Sequence, residues 1–393
     1  IEATSITQAD GARARVDAVN NLYGAETAIG DDLVIAAKAK GTTGEIKSYA
    51  VYNYQSEFKT GANAVITTSA AGNVDNSNVN AWAVINQDNS QTTFGDNVKI
   101  QARASESGLS VAVLNQTDSI VDFEGSLYVD GEGFSLYSTG GAVTNALAAG
   151  KDKILIGDMY SNSDGQINVL LDTADSLFEG AALIGTAGGE INFTMSDLSL
   201  WRMLGDSSVT ALAVSSGAIV DMTQYDDYQQ LEISELSGSG GEFIMKTDLA
   251  SETDGDKLYV TDAAAGTSQF VQVNDVSIIN GAVVTGDKKL LLITDASKNV
   301  EFIGKNLNNG GLWDITPTLE NGLAVGGSEE EWYLTKLRKE ANNDTSVLLG
   351  AADNAYAMWR NTNDTMRQRL GDLRHNKINE GDGLWTRYTG GRF

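Results

Sequence analysis

Short segments of alternating apolar and polar residues, separated by Gly, Asn, Asp and Ser, fill this sequence from Ile1 to about Leu334. Val98-Lys99-Ile100 and Leu127-Tyr128-Val129 are typical. A period of two sends one set of side chains inward and the other outward, which predicts β-strands. One phrase recurs, at Ala18-Val19-Asn20-Asn21, Ala50-Val51-Tyr52-Asn53, Ala83-Val84-Ile85-Asn86 and Ala112-Val113-Leu114-Asn115, with starts 32, 33 and 29 residues apart. A looser phrase follows each, anchored on Ile29, Phe58, Phe94 and Phe123 and carrying Gly30, Gly61, Gly95 and Gly125. A unit of roughly 30 residues cannot bury its apolar face alone and must stack on its neighbours. Stacking in register predicts an all-β chain, a right-handed parallel β-helix over residues 1–235.

The repeated Asn21, Asn53, Asn86 and Asn115 have two readings. Stacked amides hydrogen-bond from rung to rung as an inward ladder, or the Asn simply tolerates a turn conformation. After Gly133 the pattern loosens: Ile154-Leu155-Ile156, Ile167-Asn168-Val169, Ala182-Leu183-Ile184 and Ile191-Asn192-Phe193 look like further rungs at shorter, irregular spacing. From about Leu231 the pattern changes again to well-formed strands with turn signals between them, as in Phe243-Ile244-Met245, Leu258-Tyr259-Val260, Leu290-Leu291-Leu292-Ile293, Gly311-Leu312-Trp313 and Trp332-Tyr333-Leu334. β-Hairpins here would cover the unpaired edge of a last rung.

Composition narrows the classes. With 42 Gly, 1 Pro and 41% apolar residues the chain is a folded β protein with many tight turns. A formal net charge of −26 makes it repel phosphate, so no nucleic-acid partner is expected. Cys is absent, which excludes disulfides and thiolate metal sites. The chain opens at Ile1 without a basic-then-apolar leader and has no long apolar run, so it is expected to be a mature or excised fragment.

Candidate chemistry is sparse. The only His is His375, far along the chain, so neither a Ser-His-Asp triad in the body nor a His-ligated zinc site is expected. Acid pairs such as Asp31-Asp32 and Asp226-Asp227 raise a lyase or glycosidase reading, but adjacent acids are also common at turns and on solvated faces. No catalytic, cofactor or metal site is expected. Tyr49, Tyr52, Tyr54 and Trp82, beside the repeated strands, either line a ligand groove or stack in the core.

The last fifty residues are of another kind. Leu348, Ala351, Ala355, Trp359, Thr362, Met366, Leu370 and Leu373 recur at i+3 or i+4, giving one apolar stripe on a predicted helix. Basic residues outnumber acids after Trp359, and the chain closes on Gly383-Leu384-Trp385-Thr386-Arg387.

The series from Phe243 through Thr247-Asp248-Leu249, Gly255-Asp256-Lys257-Leu258, Gly311-Leu312-Trp313 and Trp332-Tyr333-Leu334 to Leu370-Gly371-Asp372-Leu373-Arg374 and Gly383-Leu384-Trp385 resembles the C-terminal part of a pertactin-like autotransporter of type V secretion. The specific match covers the residues from Gly240 on. The resemblance implies a β-helical passenger (1–235), an autochaperone cap (236–340), a linker helix (341–380) and the first strand of a mostly absent outer-membrane β-barrel (381–393). A transmembrane strand needs about 9–11 residues and a closed barrel at least 8 strands, so the chain's own barrel is the implied partner. The helix is expected in the barrel lumen, or alternatively packed along the body. Some members cut themselves between two Asn in this helix. Asp364-Thr365 stand at those positions, with Asn361 and Asn363 nearby, so an uncut passenger is expected.

The implied function is a surface-displayed, non-enzymatic adhesin or self-association module in the outer membrane of a Gram-negative bacterium. Its partners would be a host-surface glycan, a host protein or the same passenger on another cell. A carbohydrate-active passenger enzyme and a spacer stalk for a more N-terminal effector are the alternatives.

Overall fold

The computed structural model describes residues 1–6, 13–42, 44–72, 78–105, 108–279, 288–307, 313–343, 345–348 and 350–360. They fall into two compact units, one of residues 1–307 and 315–338, the other of residues 308–314 and 339–393.

The first unit is a parallel β-helix whose early turns each carry three strands. Turn one holds β1 (Glu2–Ile6), β2 (Ala14–Leu22) and β3 (Glu26–Ile29); turn two β4 (Val34–Lys40), β5 (Ile46–Tyr54) and β6 (Glu57–Thr60). Turn three holds β7 (Val65–Ala71), β8 (Val79–Gln87) and β9 (Gln91–Phe94); turn four β10 (Val98–Ala104), β11 (Leu109–Gln116) and β12 (Ile120–Phe123). Each strand pairs in parallel with its counterpart one turn on, which makes three faces. In turns five and six the first two faces merge into the single long strands β13 (Leu127–Thr139) and β15 (Lys153–Asn162), followed by β14 (Val143–Ala146) and β16 (Gln166–Leu171) on face three. Face two ends with β18 (Ala182–Ile184) in a turn that also holds β17 (Leu177–Glu179) and β19 (Glu190–Met195), and later turns keep only faces one and three.

One inward column of face one runs through the whole body: Ile35, Ile66, Ile100, Val129, Leu155, Phe178, Trp201, Val220, Phe243 and Val271, every one fully buried. Its spacing explains the loosening of the repeat. Ile35 and Ile66 lie 31 residues apart, Trp201 and Val220 only 19, because the later turn has lost a face. Where the circumference shrinks the core fills with rings: Phe178, Phe193 and Trp201 stack at centroid distances of 5.2–5.5 Å, and the Trp201 indole N–H donates to the Gly180 carbonyl.

Parallel stacking continues to the Glu301–Gly304 strand, which pairs with the Ser268–Asp275 strand. The direction then reverses. The Glu331–Ala341 strand lies antiparallel to the Leu290–Asp295 strand and takes the outer position that a further parallel rung would occupy. It follows a one-turn helix, Gly322–Val325, whose first turn is capped by the Asn321 side chain. The expected cap segment thus begins as further rungs and ends antiparallel.

In the second unit residues 345–348 and 350–360 are helical, and the Tyr356 and Trp359 rings stack 6.0 Å apart. The rest of the expected helix, His375, the Asn361 to Thr365 segment and the expected barrel strand lie outside the described residues.

Candidate functional site: the outer surface of face two

Face two is held to face three from inside by an amide ladder. Asn21, Asn53, Asn86 and Asn115 are buried, and each side-chain N–H₂ donates to the next Asn Oδ1, at 2.8, 2.8 and 3.0 Å. The same nitrogens reach the carbonyls of Glu57, Gln91, Ile120 and Val143, the first residues of the face-three strands one turn on. The ladder reading therefore holds, and none of these four Asn has positive φ. Beside it runs a Ser ladder that the sequence reading missed: Ser56 N donates to Ser90 Oγ, and Ser90 N to Ser119 Oγ. The available signal was a Ser three or four residues after Asn53, Asn86 and Asn115.

Two other repeat features need correction. Phe94 and Phe123 stack 5.0 Å apart as one column, but Phe58 pairs in register with Thr92, two residues away from it. A slip of two keeps the ring inward, so the polarity pattern does not reveal it. Gly61 and Gly95 are required by close stacking rather than by positive φ: a Cβ on Gly95 would come within 2.6 Å of the Gly61 carbonyl oxygen.

With the inward side fixed, the alternate residues of face two point out. Ser48 is inward and bonds Thr68, so Tyr49 faces the other way. Tyr49, Ile85, Val111 and Leu114, with Tyr52, Trp82, Phe134 and Tyr137 packed on them, form a hydrophobic cluster distinct from the core. Of the four aromatic candidates, Tyr49, Tyr52 and Trp82 thus belong to an outer cluster, and Tyr54 stacks beside Tyr52 at 6.3 Å. Sequence reasoning missed its lower half, Phe134, Tyr137 and Tyr160, whose ring centroids lie 4.8–5.9 Å apart. The missing signal was the merging of two faces within β13, which hides the repeat phrase there.

The register arranges this surface in columns. Tyr49 and Trp82 stack nearly parallel at 5.1 Å and continue to Val111 and Phe134. The next column is Tyr52, Ile85, Leu114, Tyr137 and Tyr160, and the one beyond it Tyr54, Gln87, Gln116, Thr139 and Asn162. Gly185 follows Asn162, and a Cβ there would collide with the Tyr160 hydroxyl, so the glycine leaves room for that ring. At the N-terminal end the Arg15 guanidinium lies 4.8 Å over the Tyr49 ring and pairs with Asp17. Burial pushes the Tyr49 hydroxyl up to about 12, and also raises those of Tyr52 and Tyr137, so these phenols stay neutral.

The acid pairs serve turns. Asp31 accepts from the Ala62 N–H and Asp32 from the Asn63 amide, while Asp226 and Asp227 are exposed in the ninth turn. The structure does not bring the two pairs together. Among the described residues no group of three or more His, Asp or Glu is placed to hold a metal ion.

The chain is thus a solenoid, a parallel β-helix with an uncharged aromatic strip on the outer side of one face. The family model described as Pertactin matches residues 209–336. The chain is similar to "Autotransporter CRAC" of Citrobacter rodentium (strain ICC168), 27% identical over 247 residues, covering 55% of this chain and 14% of that protein. It is similar too to "Autotransporter adhesin/invasin TibA" of Escherichia coli O78:H11 (strain H10407 / ETEC), 28% identical over 233 residues, covering 56% of this chain and 21% of that protein. Among solved structures it is similar to the Haemophilus influenzae Hap adhesin, with TM-score 0.35, 13% identity, and coverage of 77% of this chain and 33% of that one. Residues 209–336 thus carry a Pertactin domain, and over about half of its length the chain is similar to autotransporters. The match spans only 14% and 21% of the length of these two curated relatives.

Proposed function

We propose that the chain is the adhesive part of its passenger, a non-enzymatic surface module that binds a host surface or other cells through the outer side of its β-helix. One observation carries this: a second hydrophobic cluster lies outside the core, with Tyr49, Ile85, Val111 and Leu114 buried beneath the half-buried rings of Tyr52, Trp82, Phe134 and Tyr137 on the outer side of face two. Aromatic-rich surface of this kind marks interaction sites, whereas a fold built only as a stalk has no need of it. A relative's name, adhesin/invasin, supports the same reading. Repetition along the solenoid suits many weak contacts acting together. Within this reading residues 236–340 are the autochaperone cap, residues 341–380 the tether and residues 381–393 the first strand of the barrel.

The test is display of the chain with its barrel on a non-adherent bacterium, scoring attachment to epithelial cells and settling of the culture. Gain of either is expected. If neither appears, and only longer passengers confer attachment, the stalk reading replaces this one.

A further inference from the structure

The outer strip of face two has a specific chemistry. From turn two to turn six, beside the inner column that holds the Tyr49 and Trp82 rings, its two outer columns are Tyr52 and Tyr54, Ile85 and Gln87, Leu114 and Gln116, Tyr137 and Thr139, Tyr160 and Asn162. None of these carries a charge, in a chain of which 20% is charged. Rungs stack at about 4.8 Å, so the strip runs roughly 20 Å along the solenoid axis. The two columns are two residues apart on one side of each strand, about 7 Å. A row of half-buried rings, Tyr52, Tyr137 and Tyr160, bridged by the buried Ile85 and Leu114, therefore lies alongside a row of half-buried amides and hydroxyls.

We propose that this strip is the binding site for an uncharged oligosaccharide chain laid along the solenoid axis, a proposal that rests on the adhesin reading above. A pyranose ring has an apolar C–H face and a rim of hydroxyls, the same two chemistries that the strip presents side by side. Tyr and Trp rings offer large, stiff, amphipathic contact area. The Gln116 amide both donates and accepts, and the Gln87 and Asn162 amides, whose oxygens already accept from the Tyr52 hydroxyl and the Ala187 N–H, present N–H₂ donors, so all three suit sugar hydroxyls. Charge selects against other occupants. At a net charge of −26 a second copy of the chain and an acidic glycan both meet like charge over the approach, whereas a neutral saccharide does not. A neutral partner also makes no ion pair with the strip, so binding is insensitive to salt.

The test uses the purified chain against immobilised neutral oligomers, β-1,4-linked glucose and N-acetylglucosamine and α-linked mannose, with sialylated and sulfated oligomers alongside. Binding to at least one neutral oligomer is expected, unchanged within twofold as salt rises tenfold. Trp82→Ala and Tyr137→Ala should weaken it at least tenfold, and Gln116→Ala, which removes only an outward amide, at least threefold. Tyr259→Ala, on face three, should leave it unchanged. Binding only to acidic oligomers, or binding indifferent to all three strip variants, overturns the proposal. So does a strip-dependent dimer in sedimentation, which would assign the strip to a second copy. If displayed cells attach but no neutral oligomer binds, this inference fails while the adhesin reading stands; if displayed cells neither attach nor aggregate, the adhesin reading itself fails.

Discussion

Asn53 donates its side-chain amide to Oδ1 of Asn86 at 2.8 Å, across 33 residues of sequence and one turn of the solenoid. Asn86 in turn donates to Asn115 and to the Ile120 carbonyl, and accepts from the Thr92 hydroxyl at 2.8 Å. Removing it orphans several fully buried polar groups, each costing about 1–3 kcal/mol. Asn86→Ala should therefore lower unfolding free energy by about 3 kcal/mol. Asn21→Ala, at the end of the ladder, orphans fewer and should cost about 1 kcal/mol. Urea midpoints of the two variants check the gradient; equal costs would show that the amides act independently of the ladder.

The Phe178, Phe193 and Trp201 stack fills the turns where the solenoid narrows. Trp201→Ala leaves a cavity and an unpaired Gly180 carbonyl, and should destabilise by about 3–5 kcal/mol. Thermal and urea unfolding read this directly. A loss under about 1 kcal/mol would mean that the stack can collapse on itself.

Gly95 lets two turns approach at a corner, since an added Cβ would meet the Gly61 backbone. Gly95→Ala should cost about 1–3 kcal/mol. Gly30→Ala, where a Cβ meets nothing within 4 Å, should cost less. A comparison of midpoints separates close approach from a general loss of glycine.

Burial pushes the Asp256 carboxyl up to about 7, although the backbone N–H groups of Gln229 and Lys246 donate to it. Because the folded value lies above the unfolded one, the neutral form favours the fold. That contribution is full below the unfolded pKa near 4 and is lost as pH rises through about 7. Between about pH 5 and about pH 8 the urea midpoint of the natural chain should fall more than that of Asp256→Asn. Parallel slopes in the two proteins would remove Asp256 as the cause.

The Asn column was legible because Ala-Val stands before each Asn at a nearly constant spacing, and spacing is what a stacked turn repeats. The register of Phe58 was not, since a slip of two residues preserves inward polarity. The merging of faces in β13 hinges on bulged backbone around Gly131 and Gly133, where the register shifts between Asp130 and Phe134. No periodicity announces such a local kink, so Phe134, Tyr137 and Tyr160 lost their place in the repeat. Tyr49, Tyr52 and Trp82 were visible as aromatics, but their direction was not. An Ala-Val step with both side chains inward, as at Ala50-Val51, interrupts strict alternation and turns the neighbouring rings outward on both sides.

In the proposed function adhesion falls to the outer strip of face two, and stability to the ladder and core beneath it. The most direct test is attachment to epithelial cells by bacteria displaying the natural chain or its Trp82→Ala/Tyr137→Ala variant at matched surface density. Attachment should fall at least tenfold while the chain remains folded and displayed. Undiminished attachment by the folded variant would contradict the account.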